Sequence, residues 1–171
     1  FSHGESLNEA LEQAGKRTEF FKGLQAAGSA TALVSVAGLV PDTSFQQQKI
    51  AQWRDFWTWE RQQALKTSLA RAARHFKIKS EAFAAFTDLV ERDFQTQRPE
   101  VLQEAFGELT DSYITRSGDT YYVATVLKAA EGQKAALLDE LAAEPDLVIY
   151  DQQLFINRLL DILKEDFNKL S

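Results

Sequence analysis

The chain has 171 residues, 44% of them hydrophobic and 26% charged, with a net charge of −6. Such values describe one folded domain whose core needs no disulfide or metal to hold it. Cysteine is absent, which excludes disulfides and thiolate metal sites, and no stretch approaches the roughly 18 apolar residues of a membrane span or reads as a signal peptide.

A chain that begins at Phe1 and holds no Met reads as a processed or excised piece, with targeting signals and membrane spans lying elsewhere in the parent. Charge is uneven along it. Lys49 to Lys79 carries eight basic residues against Asp55 and Glu60, a local +6 that leaves −12 for the remainder. At helical spacing these cations scatter around the whole helix instead of gathering on one side. The block therefore reads as a solvated or internally paired surface, and no nucleic-acid partner is expected.

In chain order, Ser6-Leu7-Asn8-Glu9 is a capping box. It opens a helix over Leu7–Ala27 that buries Leu7, Ala10, Leu11, Ala14, Phe21 and Leu24, with Gly28 as its C′ residue. Ala30–Leu39 reads as a strand with Gly38 as a bend or bulge. Asp42, Thr43 or Ser44 caps a long helix running to Phe76, about 33 residues or roughly 50 Å. Its stripe is Ile50, Trp53, Trp57 and Ala64, drifting to Leu65, Leu69, Ala72 and Phe76, as in a curved helix or one with two packing partners. A second helix covers Ser80–Phe94 and a third starts at Pro99 and carries Val101, Leu102, Ala105, Phe106 and Leu109. Together they predict a small antiparallel helical layer.

Ser112–Arg116 and Thr120–Lys128 flank Ser117-Gly118-Asp119 as a hairpin. Glu131–Ala143 reads as a helix and Leu147–Tyr150 as a short buried strand. A last helix from Asp151 carries one stripe, Ile156, Leu159, Leu160, Leu163, Phe167 and Leu170, with no Gly, Asn or Pro stop before Ser171. Its first turns are expected to pack on the sheet and its last turn to fray, the helix continuing in the parent. With one strand supplied upstream of Phe1, the element order is a split β-α-β-β-α-β unit carrying a helical insertion between its second and third strands. The predicted class is α+β, a small antiparallel sheet in one domain over 1–171 with the insertion at 44–110.

No residue constellation carries chemistry. His3 and His75 are the histidines, and the ligand spacings of a zinc site are missing around them. No nucleophile elbow, Walker loop, His-Glu-x-x-His or Gly-x-Gly-x-x-Gly occurs. Glu81, Asp88, Glu91, Asp93, Glu100, Glu104 and Glu108 are spaced like a solvated helix face. The reading is a non-enzyme with no catalytic residue, metal or cofactor. Trp53, Phe56, Trp57 and Trp59 are the densest aromatic cluster. Trp53 and Trp57 lie on the helix stripe, whereas Trp59 lies off it, on the side of Phe45 and Phe56. Such a helix is either sandwiched within the domain or borders an aromatic groove for a hydrophobic ligand or partner.

Four segments in order resemble the extracytoplasmic segment of predicted exporters of the resistance-nodulation-division (RND) superfamily. They are Gly4–Leu11, Leu39-Val40-Pro41 with the Gln-rich helix start Gln46-Gln47-Gln48, Tyr121–Val126, and Tyr150-Asp151 through Leu170. Val40 stands where that family more often has Leu. The resemblance implies a porter-like, ferredoxin-like split β-α-β-β-α-β fold, in agreement with the element order. It also implies a parent in the bacterial inner membrane that is a proton-driven exporter of lipidic or hydrophobic compounds, with this domain in the periplasm. Residues 150–171 would be the helix leading toward a membrane span, and the domain would supply part of the substrate path and subunit contacts. Its partners would be the membrane-embedded remainder of the exporter, a lipid substrate and a periplasmic protein. The alternative is a stand-alone helical adaptor or protein-interaction domain.

Overall fold

In the computed structural model, the backbone of residues 1–170 and the side chains of residues 1–79 and 81–164 are described. Along the chain the elements are β1 (Ser2–Gly4), α1 (Leu7–Lys16), α2 (Thr18–Ala26), β2 (Ala30–Ser35), α3 (Thr43–Phe56), α4 (Trp59–Phe76) and α5 (Ala84–Glu91). They continue with α6 (Pro99–Phe106), α7 (Glu108–Asp111), β3 (Ile114–Ser117), β4 (Thr120–Val123), β5 (Thr125–Ala129), α8 (Lys134–Ala142) and α9 (Gln152–Leu170). The protein is α+β, with an antiparallel three-stranded sheet ordered β1-β4-β3 and an antiparallel pair β2-β5. The chain divides into two compact units: a sheet unit of residues 1–41 and those from Pro99 onward, and a helical unit, Asp42–Arg98.

The sheet unit starts with the expected cap. Ser6 Oγ accepts from the Glu9 backbone N–H at 3.2 Å, and Glu9 Oε2 accepts from the Glu5 N–H at 2.8 Å. This holds the first turn of α1 by the reciprocal logic of a capping box, one residue displaced on the return bond. β1 enters α1 so closely that a Cβ on Gly4 would stand 2.7 Å from the Ala10 nitrogen, so only glycine fits there. The i, i+3, i+4, i+7 set Leu7, Ala10, Leu11 and Ala14 is buried with Val36, Val40, Ile114 and Val123 in a first core cluster. Burial of Leu7 and Leu11 contributes about 1.5–3 kcal/mol each.

The helix expected over Leu7–Ala27 is broken at Arg17, whose guanidinium donates to Ser2 Oγ at 3.1 Å and to the Pro145 carbonyl at 2.9 Å. The break lets α2 aim Phe21 and Leu24 at a second core cluster with Leu137 and Leu141 of α8, against Leu33, Leu127 and Ala129 of the β2-β5 pair. At the end of α2, the Gly28 N–H bonds the Gln25 carbonyl (3.1 Å) and the Ser29 N–H bonds the Leu24 carbonyl (3.0 Å). With Gly28 at φ +83° this is a Schellman close.

The sheets differ from the sequence expectation in four ways. A strand that the sequence did not mark, β1, precedes α1 and pairs with β4. The strand expected over Thr120–Lys128 is two strands parted at Ala124, whose N–H bonds the Tyr113 carbonyl at 2.7 Å. The strand expected over Ala30–Leu39 ends at Ser35, because Ser35 Oγ caps a 3₁₀ turn over Val36–Gly38. Leu147–Tyr150 is not a strand. Its ladder is a single residue pair: the Phe1 amine donates to the Val148 carbonyl (2.6 Å) and the Val148 N–H to the Phe1 carbonyl (3.1 Å). The hairpin is as expected, with Ser117 facing Thr120 across Gly118-Asp119.

α9 does not pack its first turns on the sheet. Ile156, Leu159, Leu160 and Leu163 are 45–48% exposed, and Leu154 and Phe155 on other faces are 50% and 56% exposed. The expectations for the Phe167 and Leu170 side chains lie outside the described residues. No described helix is long and apolar enough to cross a membrane.

In the helical unit, Asp42 is the cap: Oδ1 accepts from the Phe45 N–H at 2.9 Å and from Ser44 Oγ at 2.8 Å. The expected long helix breaks at Trp57, and Thr58 caps α4 through the Arg61 N–H at 3.4 Å. The apolar stripe continues across this break, which is why periodicity alone joined the two helices. α4 ends on Lys77 at φ 54°, with the Ile78 N–H on the Ala73 carbonyl at 2.9 Å. Gln46 closes the unit at its neck, donating Nε2 to the Gln97 carbonyl (3.0 Å) while Oε1 accepts from the Gln97 N–H (2.7 Å). α6, expected in the helical insertion, belongs to the sheet unit, where Leu102 and Phe106 pack on the first core cluster.

Candidate functional site

The sequence singled out the aromatic cluster of the helical unit. Three of its four members join one chain of rings. Trp53 meets Phe94 edge-on at 5.7 Å and Trp57 at 6.0 Å, and Phe56 meets Trp57 edge-on at 5.0 Å. Such pairs prefer this tilted geometry because the ring edge is positive and the face negative. Phe56 is 55% exposed, with the Arg61 guanidinium 4.7 Å over its ring. Arg61 also donates to the Phe56 carbonyl at 2.8 Å, so the cation is fixed over the ring. Trp53 Nε1 is buried without a partner. Trp59 is 69% exposed and joins none of these ring contacts, so the structure brings together Trp53, Phe56 and Trp57 and leaves Trp59 apart.

The basic block of the sequence is partly paired inside the same unit. Arg54 meets Asp93 at 2.5 Å, Lys66 pairs with Glu91, and Lys49 donates to Gln52 at 3.3 Å. These side chains are exposed, and such pairs contribute about 0–1 kcal/mol each. Two of the acidic residues after Ser80, Glu91 and Asp93, are thus partners of the block. The Glu60 carboxyl is held below its usual range by hydrogen bonds from its own backbone N–H and from the Thr58 hydroxyl.

His3 is on β1, its ring 6.2 Å from Tyr122 and its Nδ1 buried without a partner. It borders a polar cleft with Glu5, Glu9, Arg17 and Asp146. His75 packs edge-on to Phe76 at 4.7 Å. Among the described residues, no group of three or more His, Asp or Glu side chains is placed to hold a metal ion.

The sheet unit holds a second candidate that sequence reasoning missed. An apolar cleft of ≈ 370 Å³ opens beside the second core cluster. Its walls come from Phe21 of α2, Leu127 of β5, Leu137 and Leu141 of α8, and the extended segment with Leu147 and Val148. At its mouth Lys134 Nζ meets both Asp151 oxygens at 3.0 Å, and Asp151 Oδ1 also accepts from the Leu154 N–H at 2.9 Å. These bonds, the Leu154 N–H first and Lys134 next, hold the Asp151 carboxyl below its usual range. An adjoining apolar hollow continues past Ile149 and Tyr150 to Leu154 and Phe155 of α9. The run Leu147-Val148-Ile149-Tyr150 was the available signal. It reads as a buried strand, yet Val148 is 46% and Tyr150 61% exposed, because this run is a cleft rim.

Compared with known protein families, curated proteins and solved structures, the chain has no match in any of the three.

Proposed function

We propose that this chain is the periplasmic domain of an RND-type, proton-driven inner-membrane exporter of lipidic or hydrophobic compounds, contributing to the substrate path and to subunit contacts. The observation that carries the reading is the order of extended segments in the sheet unit. Val148 lies beside Phe1, β1 beside β4, and β2 beside β5, the strand pairs all antiparallel. β4 and β5 follow one another directly although they lie in separate sheets, and β3 pairs with β4 on its other side, so this order suits a split β-α-β-β-α-β unit with the helical unit inserted between β2 and β3. A porter-like domain with a helical insertion has that arrangement. The open apolar cleft and the uncovered apolar residues of α9 suit a path for hydrophobic compounds. Within the helical unit, the ring cluster of Trp53, Phe56 and Trp57 would offer a hydrophobic contact surface of its own.

The exposed apolar side chains of α9 also suit the alternative, a stand-alone protein-interaction domain docking through that helix. Fractionation separates the two readings. An antibody raised against this chain should find its antigen in the inner membrane of the source bacterium, released only by detergent and open to protease on spheroplasts. Antigen recovered in a soluble fraction without detergent would overturn the exporter reading and favour the adaptor.

A further inference from the structure

The basic block of the helical unit splits in two. Arg54 and Lys66, in its first part, pair with carboxylates. Its last part, Arg71 to Lys79, holds Arg71, Arg74, Lys77 and Lys79 and no Asp or Glu. Among the described residues none of these four cations meets a carboxylate, and Arg74 donates to the Ala70 carbonyl of its own helix at 3.3 Å. At 1.5 Å per residue, Arg71 and Arg74 lie within about 8 Å of the end of α4. Cations that scatter around the helix therefore still gather at its tip.

The same tip is apolar. Every residue from Arg74 to Lys79 is exposed, Phe76 at 67% and Ile78 at 44%. Lys77 turns the chain between those two in its left-handed conformation. Cations at a helix C-terminus are favoured by the helix dipole and have a structural reason to be there. An exposed Phe and Ile among unpaired cations have none. They are the parts of an interfacial membrane contact, in which apolar groups enter the acyl boundary and cations meet anionic head groups.

We infer that the tip of α4 docks on an anionic lipid bilayer, Phe76 and Ile78 entering it while Arg71, Arg74, Lys77 and Lys79 meet lipid phosphates. The chain as a whole carries −6 and would be repelled from such a surface, so attraction has to come from a local patch of opposite sign. Single-stranded nucleic acid fits less well. It asks for successive aromatic platforms, and the tip presents Phe76, His75 edge-on to it at 4.7 Å, and an aliphatic Ile78. The inference stands apart from the exporter reading, because a contact of this kind is released by salt and one through a membrane span is not.

The test is co-sedimentation of the whole chain with vesicles of phosphatidylcholine alone or with roughly 30% phosphatidylglycerol, an anionic lipid. The anionic vesicles should bind at least fivefold more chain, and raising salt from about 50 to 500 mM should release it. Replacing Arg71, Arg74, Lys77 and Lys79 together by Gln should bring binding down to the phosphatidylcholine level. Phe76→Ser should weaken it at least threefold with an unchanged melting temperature, since that ring is already exposed. The chain has no cysteine, so Phe76→Cys carrying a bimane label reports on the tip alone, and its emission should shift to the blue on anionic vesicles. Equal binding to both vesicles, binding undiminished in the Gln variant, or an unshifted label on a chain that does bind would each overturn the inference. So would binding to a uridine oligonucleotide in place of the vesicles, which would assign the tip to nucleic acid. Detergent-requiring attachment in cells without vesicle binding by the tip would keep the exporter reading and remove this one; salt-released vesicle binding by a chain that fractionates as soluble would do the reverse.

Discussion

In the sheet unit, Leu7, Leu11, Val40 and Val123 are at most 1% exposed within the first core cluster, and Phe21, Leu24, Leu137 and Leu141 form a second. In the helical unit, the buried apolar side chains among the described residues are Ala73 and Val90. Its helices are tied instead by a half-exposed chain of rings, by cations over aromatic faces and by solvent-facing ion pairs. Close-packed aliphatic burial is worth several kcal/mol per large side chain, whereas each aromatic pair adds about 0.5–1.5 kcal/mol and each exposed ion pair less. The difference teaches that the sheet unit is the stable part and that the helical unit opens at lower cost, as segments poor in buried contacts do.

The largest test of this contrast is Leu11→Ala. It should destabilise the sheet unit by about 2–5 kcal/mol, the range for large-to-small changes in a closed core. Denaturant melts followed by hydrogen exchange should show the loss in α1, β1 and β4. A loss below about 1 kcal/mol would erase the contrast.

Trp53→Ala comes next. It removes the ring pairs with Phe94 and Trp57, worth about 1–3 kcal/mol together. Limited proteolysis should then cut within Asp42–Arg98 sooner and leave the sheet unit intact. Equal acceleration in both units would show that they unfold together.

Lys77→Gly should work in the opposite direction. Lys77 holds a left-handed conformation at φ 54° to close α4. A non-glycine residue there costs roughly 1–2 kcal/mol, so glycine should raise the stability of the helical unit by about 1 kcal/mol after its own entropy cost. A lower thermal midpoint would place the contribution of Lys77 in its side chain.

Leu159→Ala should change stability by less than about 0.5 kcal/mol, because Leu159 is 47% exposed. A clear destabilisation would mean that α9 docks in solution. The smallest effect is the response of α9 to acid. The folded Asp151 carboxyl lies below its ordinary value of 3.8, so its contribution is complete above that value and fades as pH falls through the lower folded value. Asp151→Asn should remove this acid response from the NMR titration of the Leu154 amide while keeping the cap.

How far the sequence could be read depended on whether a signal was local. Ser6 and Glu9, Gly28, Pro99 and Gly118 each act within a few residues, and the caps, the helix start and the hairpin are where those residues place them. The breaks at Arg17 and Trp57 were missed because the apolar spacing runs through them. Thr58 with Glu60 was a legible helix start inside that spacing, but the break at Arg17 depends on the Pro145 carbonyl, far along the chain. The ring chain was half legible, since Trp53 and Trp57 share a helix face but Phe94 joins them from another segment. The cleft was legible only in the apolar run Leu147–Tyr150, which reads as a buried strand. Its walls come from α2, β5, α8 and the segment after it, and no periodicity links those residues.

The neck at Gln46 and Gln97 has an engineering consequence. One amide side chain clasps the backbone near the far end of the helical unit, so that unit leaves and re-enters the chain at a single gate. To the sheet unit, Asp42–Arg98 is therefore a long loop with a narrow mouth, and the entropy of closing a loop grows only slowly with its length. Pro41 joined to Pro99 by a short Gly-Ser bridge should leave a foldable remainder. The removed piece, its ends already side by side, should be a cassette that can be transplanted into a surface turn of an unrelated scaffold.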